Sequence, residues 1–175
     1  MKAYEFALKF RLTTAETRPE ECVERLGDEG CNDALIGIGQ NGRVALNFTR
    51  EADSAHDAVL SAIAAVRRAI PNATLIEAAP DFVGLTDVAD ILGCTRQNMR
   101  KLMVNCGAAI PAPIHEGRPS IWHLAHVLTW LREQKHYQIQ DDLLELAQTT
   151  MQLNIAVDGQ SSDQSLQKEI RSVLA

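Results

Sequence analysis

Two short helical patterns separated by one tight break occupy residues 84–102, and they restrict the local fold more than any other part of the chain. Each pattern has its apolar residues on one face: Leu85, Val88, Ala89 and Leu92, then Met99 and Leu102. In the break, Gly93 can adopt the positive φ that ends a helix, Cys94 is a small apolar plug, and Thr95 can cap the second helix. Two short helices joined in this way predict a helix-turn-helix.

The second of these helices presents side chains suited to DNA. Arginine and lysine bond guanine edges or phosphates, asparagine and glutamine bond adenine edges, and no Asp or Glu occurs in residues 96–101. We expect Arg96 and Gln97 nearest the bases, with Arg100 or Lys101 on phosphates. The candidate DNA-binding residues are Thr95, Arg96, Gln97, Asn98, Arg100, Lys101, Arg118 and Ser120. The alternative is an ordinary αα-hairpin with a solvated polar face, which has no need to exclude carboxylates.

Residues 84–134 resemble the winged, MerR-like helix-turn-helix domains of excisionases and AlpA-type regulators. The resemblance rests on Ala89, Gly93, Met99, the Pro-rich stretch 111–123, Val127 and the pair Trp130-Leu131. It implies a short β-hairpin wing over residues 111–122, with Gly117 at its tip, followed by a last helix. Arg118 would then reach a phosphate or the minor groove. Trp122 and Trp130 are expected in the core rather than stacked on bases.

Residues 1–80 predict a small α+β domain. Apolar and polar residues alternate along residues 2–12, which is typical of a strand with one buried face. A helix beginning at Pro19, a hairpin turning at Asn41-Gly42, a helix from Ala55 to Ile70 and a strand at 74–76 follow, and Pro80 begins a linker. The order β-α-β-β-α-β predicts a ferredoxin-like arrangement. Such a fold next to a DNA-binding unit suggests dimerisation, ligand sensing or partner binding, and in layout it is similar to the N-terminal domains of HicB-type antitoxins.

The C-terminal part predicts two further helices. In residues 137–155 a heptad-spaced set, here called the tail face, comprises Ile139, Leu143, Leu146, Thr150 and Leu153. This face could pair with its copy in a homodimer, which we favour, or cover the winged domain. In residues 156–175 a flexible polar joint precedes a short helix with an apolar stripe, formed by Leu166, Ile170 and either Val173 or Leu174, that could dock on this chain or on a partner.

Charge is distributed unevenly along the chain. The net charge is −6, but residues 84–136 carry +2 and the segments on either side carry −4 each, so the basic charge lies where a DNA-binding face needs it. The apolar content of 46% and charged content of 23% are those of a soluble globular protein. Because no apolar run approaches the ~18 residues of a membrane span and the first residues lack the apolar core of a signal peptide, we expect a cytoplasmic protein without membrane contact.

No motif for a metal, a cofactor or catalysis stands out. The cysteines are spaced irregularly, which predicts reduced thiols: Cys22, Cys31, Cys94 and Cys106. His123 and His126 could share a metal, but no third ligand is evident nearby. We therefore expect no metal, no cofactor and no enzymatic activity.

These observations predict an α+β protein with four parts: a small α+β domain (1–80), a winged helix-turn-helix (84–136), a helix (137–155) and a joint with a terminal helix (156–175). The expected function is that of a sequence-specific, DNA-binding transcriptional regulator. As a homodimer it would place its recognition helices about 34 Å apart on an inverted repeat of double-stranded DNA. Two alternatives stay open: an excisionase-like factor that bends DNA, and an antitoxin-type module that binds a protein partner through its N-terminal domain or tail.

Overall fold

The first part of the chain is a four-stranded antiparallel sheet in the order β2-β3-β1-β4 with helices packed on it, in a computed structural model that describes residues 1–13, 18–40, 42–105 and 110–174. Its elements are β1 (Lys2–Arg11), α1 (Pro19–Asp28), β2 (Ala34–Gln40), β3 (Arg43–Ala52), α2 (Ala55–Ala69) and β4 (Thr74–Ala79). The predicted α+β class and element order are confirmed. The strand order is compatible with the ferredoxin-like arrangement, since β3 lies between the two strands that α1 connects.

Alternation along β1 explains how the sheet buries one face. Its inward side chains are Tyr4, Phe6, Leu8 and Phe10, all at most 4% exposed. Against them α2 presents a row of small and β-branched residues that lets the helix approach the sheet closely: Ala58, Val59, Ala62 and Val66. Ser54 caps α2 by accepting a hydrogen bond from the Asp57 amide at 3.0 Å. The predicted β2–β3 hairpin is confirmed by their pairing, although Asn41 lies outside the described residues.

The second part contains the predicted pair of short helices. Its elements are β5 (Phe82–Val83), α3 (Leu85–Ile91), α4 (Arg96–Val104), β6 (Trp122–His123) and α5 (Leu124–Lys135). Strands β5 and β6 pair antiparallel, with Phe82 opposite His123. The expectation of a linker from Pro80 onward was therefore wrong: the chain enters a strand at once, because Asp81 is buried and the following residues pair with the segment after the wing. Asn105 ends α4 as expected, while Cys106 and Gly107 lie outside the described residues.

Helix α6 (Asp141–Gly159) joins the two hydrophobic cores, and α7 (Gln164–Leu174) follows it. Leu146 packs into the core of the sheet, whereas Leu144, Ala147 and Met151 pack into the core of the helix-turn-helix part. In the tail face Leu146 is 4% exposed and Thr150 is fully buried within this same chain. Pairing of two copies along the whole of that face was thus a wrong expectation, because Leu146 and Thr150 at its centre already pack within the chain.

No helix in the described part of the chain is long and apolar enough to cross a membrane.

Candidate nucleic-acid interface

The turn between α3 and α4 has the geometry that its sequence predicted. Gly93 adopts a φ of +63°, which is the left-handed conformation that favours glycine. The Cys94 amide donates to the Ala89 carbonyl at 2.9 Å and the Gly93 amide donates to the Asp90 carbonyl at 3.1 Å, so the last carbonyls of α3 are satisfied. At the other end of α3, the Asp87 carboxylate accepts a hydrogen bond from the Gly84 amide at 2.7 Å. The direction of α4 relative to α3 is therefore set by a turn whose amides are bonded to the last turn of α3.

One side of α4 is anchored and the other side is free. Thr95 caps the helix by accepting a hydrogen bond from the Asn98 amide at 3.1 Å, as expected. Met99 and Met103 are 1% and 4% exposed and pack into the core beneath the helix. At about 100° per residue, Gln97 and Lys101 lie opposite these two methionines. A rigid helix consequently holds its polar side chains away from the body of the protein.

The outward surface of α4, here called the α4 face, contains all six predicted residues of this helix in exposed positions: Thr95, Arg96, Gln97, Asn98, Arg100 and Lys101. Within the described ranges, none of its three cations forms an ion pair with this chain. Arg18, an exposed cation directly before α1, differs from them because it forms an ion pair with the Glu21 carboxylate at 2.9 Å. The positive charge of the α4 face is thus left available for an external anion.

The predicted wing is a short loop held by a single bridge between His115 and Ile121. The Ile121 amide donates to the His115 carbonyl at 3.0 Å, and the Ile114 amide donates to the Ile121 carbonyl at 2.8 Å. Arg118 is exposed in this loop, as predicted. The Ser120 side chain is half-buried and its hydroxyl donates to the Gly117 carbonyl at 3.1 Å. The hydroxyl of Ser120 therefore closes the loop, and only its oxygen lone pairs stay open to a ligand.

The wing is attached to the same corner of the protein as the start of α3. A Cβ added to Gly84 would lie 3.9 Å from the Ser120 carbonyl oxygen. The Trp122 indole donates to the Pro111 carbonyl at 3.0 Å and ties the Pro-rich approach to the strand after the wing. Trp122 and Trp130 are 9% and 5% exposed, so the expectation that both belong to the core is confirmed.

Sequence reasoning missed a buried polar junction between the two cores. Asp81 has a side chain without solvent exposure; one of its oxygens lies 2.8 Å from His123 Nδ1 and the other accepts a hydrogen bond from the Asn154 amide group at 2.8 Å. Asn154 also bonds the backbone N–H and C=O of Ala78, each at 2.8 Å. The Thr150 hydroxyl donates to the Pro80 carbonyl at 2.7 Å. This network fixes the helix-turn-helix part against the sheet through α6.

The junction also changes the interpretation of the two neighbouring histidines. The rings of His123 and His126 lie 5.4 Å apart, edge to face, but His123 Nδ1 is held by Asp81. Among the residues that the structure describes, no group of three or more side chains could hold a metal ion. The position of His123 is thus explained by the fold.

No family model, curated protein or solved structure matches this chain. The candidate interface accordingly depends on its own residues: the exposed, cationic α4 face, the hydrogen-bonded turn that directs it, and the neighbouring loop that carries Arg118.

Proposed function

We propose that this chain is a sequence-specific, DNA-binding regulator that places α4 in the major groove. The observation that carries the proposal is the α4 face, where six adjacent polar or basic side chains are exposed on a helix anchored by buried methionines. A solvated helix gains nothing by excluding carboxylates over this length. A helix that binds next to the phosphate backbone gains affinity from the absence of carboxylates, because the phosphates would repel each of them.

Within the α4 face, the two kinds of side chain have different roles. Gln97 points away from the core and can form paired hydrogen bonds with adenine, while Arg96 in the first turn can do so with guanine. Arg100, Lys101 and Arg118 would bond phosphates on either side and set the register of the protein on the duplex. With about three phosphate contacts, the logarithm of the binding constant should fall with the logarithm of salt concentration at a slope of about −3.

A second copy would let the protein read an inverted repeat. Two helices related by a two-fold axis and about 34 Å apart meet successive major grooves on one side of the duplex. We therefore propose a homodimer on an operator with half-sites one helical turn apart. Since Leu146 and Thr150 of the tail face are buried within the chain, the contact between copies cannot be the full heptad seam.

Selection of bound DNA from a random duplex library, with the full chain at about 150 mM salt, tests this proposal. An enriched inverted repeat is the expected result. The variant Arg100→Ala/Lys101→Ala should lose most binding, whereas Arg18→Ala/Arg25→Ala, which removes one exposed cation directly before α1 and one within it, should bind as the parent does. Equal loss in both variants, or no enriched sequence at all, would overturn the assignment of the α4 face.

An architectural factor would give a different result in a second assay. If the protein bends DNA for recombination, circular permutation of the selected site should reveal a bend centred on it. With a regulator that only reads the major groove, the electrophoretic mobility of these fragments should not depend on where the site lies within them.

A further inference from the structure

Helix α7 exposes an apolar stripe that its own chain does not cover. Leu166, Ile170, Val173 and Leu174 are 52%, 39%, 80% and 80% exposed, and no residue of α7 is buried. Gln167, on the side of the helix next to the body, is its only half-buried residue in the described range. A helix of this length is marginal on its own in water, so its apolar side is expected to pack on another surface.

The connection to α6 holds the stripe away from the chain's own body. Asp163 caps α7 by accepting hydrogen bonds from the Ser165 and Leu166 amides at 2.8 and 3.2 Å. The polar residues Gln167, Lys168 and Arg171 border the cleft that separates α7 from the last turn of α6. To bring the stripe onto α6 of the same chain, α7 would have to roll by about a third of a turn.

A groove elsewhere on the chain matches the stripe in size and chemistry. It lies between α2 and α6, has a volume of about 460 Å³, and is lined by Leu60 and Leu153 with His56 and Glu145 among its polar residues. Leu60 is 41% exposed although it belongs to a helix whose other apolar residues are largely buried. The groove is thus an open surface with exposed apolar side chains on which the apolar side of a helix can pack.

We propose that two copies of this chain exchange their α7 helices, so that the stripe of each copy occupies the α2/α6 groove of the other. Charge complementarity favours this occupant. On α7 the stripe is flanked by Arg171, and the groove offers the Glu145 carboxylate as a partner of opposite sign. Because both halves of the contact belong to one chain, a single two-fold axis buries two stripes and two grooves. The contact does not require DNA binding, but it supplies the two-fold axis that an inverted-repeat operator needs.

Sedimentation velocity of the full chain over a range of concentrations, without DNA, tests the exchange. We expect a dimer, and we expect Ile170→Glu in the stripe and Leu60→Glu in the groove each to raise its dissociation constant about tenfold or more. Ser172→Glu introduces the same charge on another side of α7 and should leave the dimer unchanged. Both apolar positions are exposed, and equal circular dichroism spectra and Tm values would confirm that the variants fold.

Mixing the two variants separates an exchange from other contacts. Ile170→Glu keeps an intact groove and Leu60→Glu keeps an intact stripe, so a mixture should form a heterodimer with one restored contact at concentrations where neither variant associates alone. If Leu60→Glu dimerises normally, the stripes pair with each other and the proposal is wrong. A wild-type chain that stays monomeric at every concentration, or a mixture without heterodimer, would also overturn it. None of these outcomes depends on whether the α4 face binds DNA.

Discussion

The polar residues at the junction of the two cores and those on the α4 face are used in opposite ways. At the junction, Asp81 and Asn154 are 1% and 3% exposed and bond each other, His123 and the backbone of Ala78. On α4, six polar side chains are exposed, and among the residues that the structure describes only the Thr95 hydroxyl of these six has a partner within the chain, in the helix cap. Polar groups with partners inside the chain hold the architecture together. A row of polar groups without such partners is left for a ligand.

Two asparagines sharpen this comparison most, because the same substitution should have opposite consequences at the two places. Asn154→Ala leaves the N–H and C=O of Ala78 and one oxygen of Asp81 without their partner in a buried site. We expect it to lower the free energy of unfolding by about 3 kcal/mol. Asn98→Ala, on the exposed α4 face, should change stability by less than about 0.5 kcal/mol.

Urea denaturation of both variants measures this difference, and binding to the selected operator completes the comparison. At a temperature where both are folded, Asn154→Ala should bind DNA normally and Asn98→Ala should bind it more weakly. Similar unfolding free energies for the two variants would show that the junction is not the rigid connection described above.

The second prediction separates the side chains of the α4 face that read bases from those that bind phosphates. Gln97→Ala should cost about 2 kcal/mol of binding at one base pair of the operator and leave the other positions unchanged, because a side chain that reads a base edge is lost. Repeating the library selection with this variant should relax the preference at that base pair alone. Weakening by the same factor on every sequence would place Gln97 on the backbone instead.

Arg100→Ala provides the complementary case. We expect a loss of about 1 kcal/mol on all sequences alike, and a salt dependence shallower by about 0.9 in slope, because one phosphate contact disappears. Arg25→Ala, an exposed cation on α1, is the matched control and should alter neither quantity. Titrations at several salt concentrations on specific and random duplexes measure both quantities. A change in base preference for Arg100→Ala would instead make Arg100 a base-reading residue.

The sequence predicted the α4 face well because its determinants are local. The positive φ of Gly93 and the cap at Thr95 each depend on residues within one turn, and the helical spacing of the apolar residues already indicates the side of α4 on which Met99 lies. The alternation along β1 predicted its buried face for the same reason, since period two is a property of a single strand.

What the sequence could not predict depends on residues far apart in the chain. The spacing of Leu146, Thr150 and Leu153 indicates an apolar side of a helix, but it does not say which surface covers that side, and here the surface belongs to the same chain. The contact between Asp81 and Asn154 joins positions 73 residues apart. No local pattern marks either residue as buried, because Asp and Asn are usually exposed.

The smallest expected effect concerns Thr95, the one residue of the α4 face that also serves the fold. Thr95→Ala removes the acceptor of the Asn98 amide, and we expect a loss of about 0.5–1 kcal/mol in the free energy of unfolding. This lies at the low end for a helix cap because the end of α4 is exposed and water can replace the hydroxyl. Thr95→Ser keeps the acceptor and should restore stability. DNA affinity should likewise be lower for Thr95→Ala than for Thr95→Ser, since a frayed first turn moves Arg96 and Gln97. If Thr95→Ala instead keeps normal stability but loses binding, the hydroxyl is a direct phosphate contact.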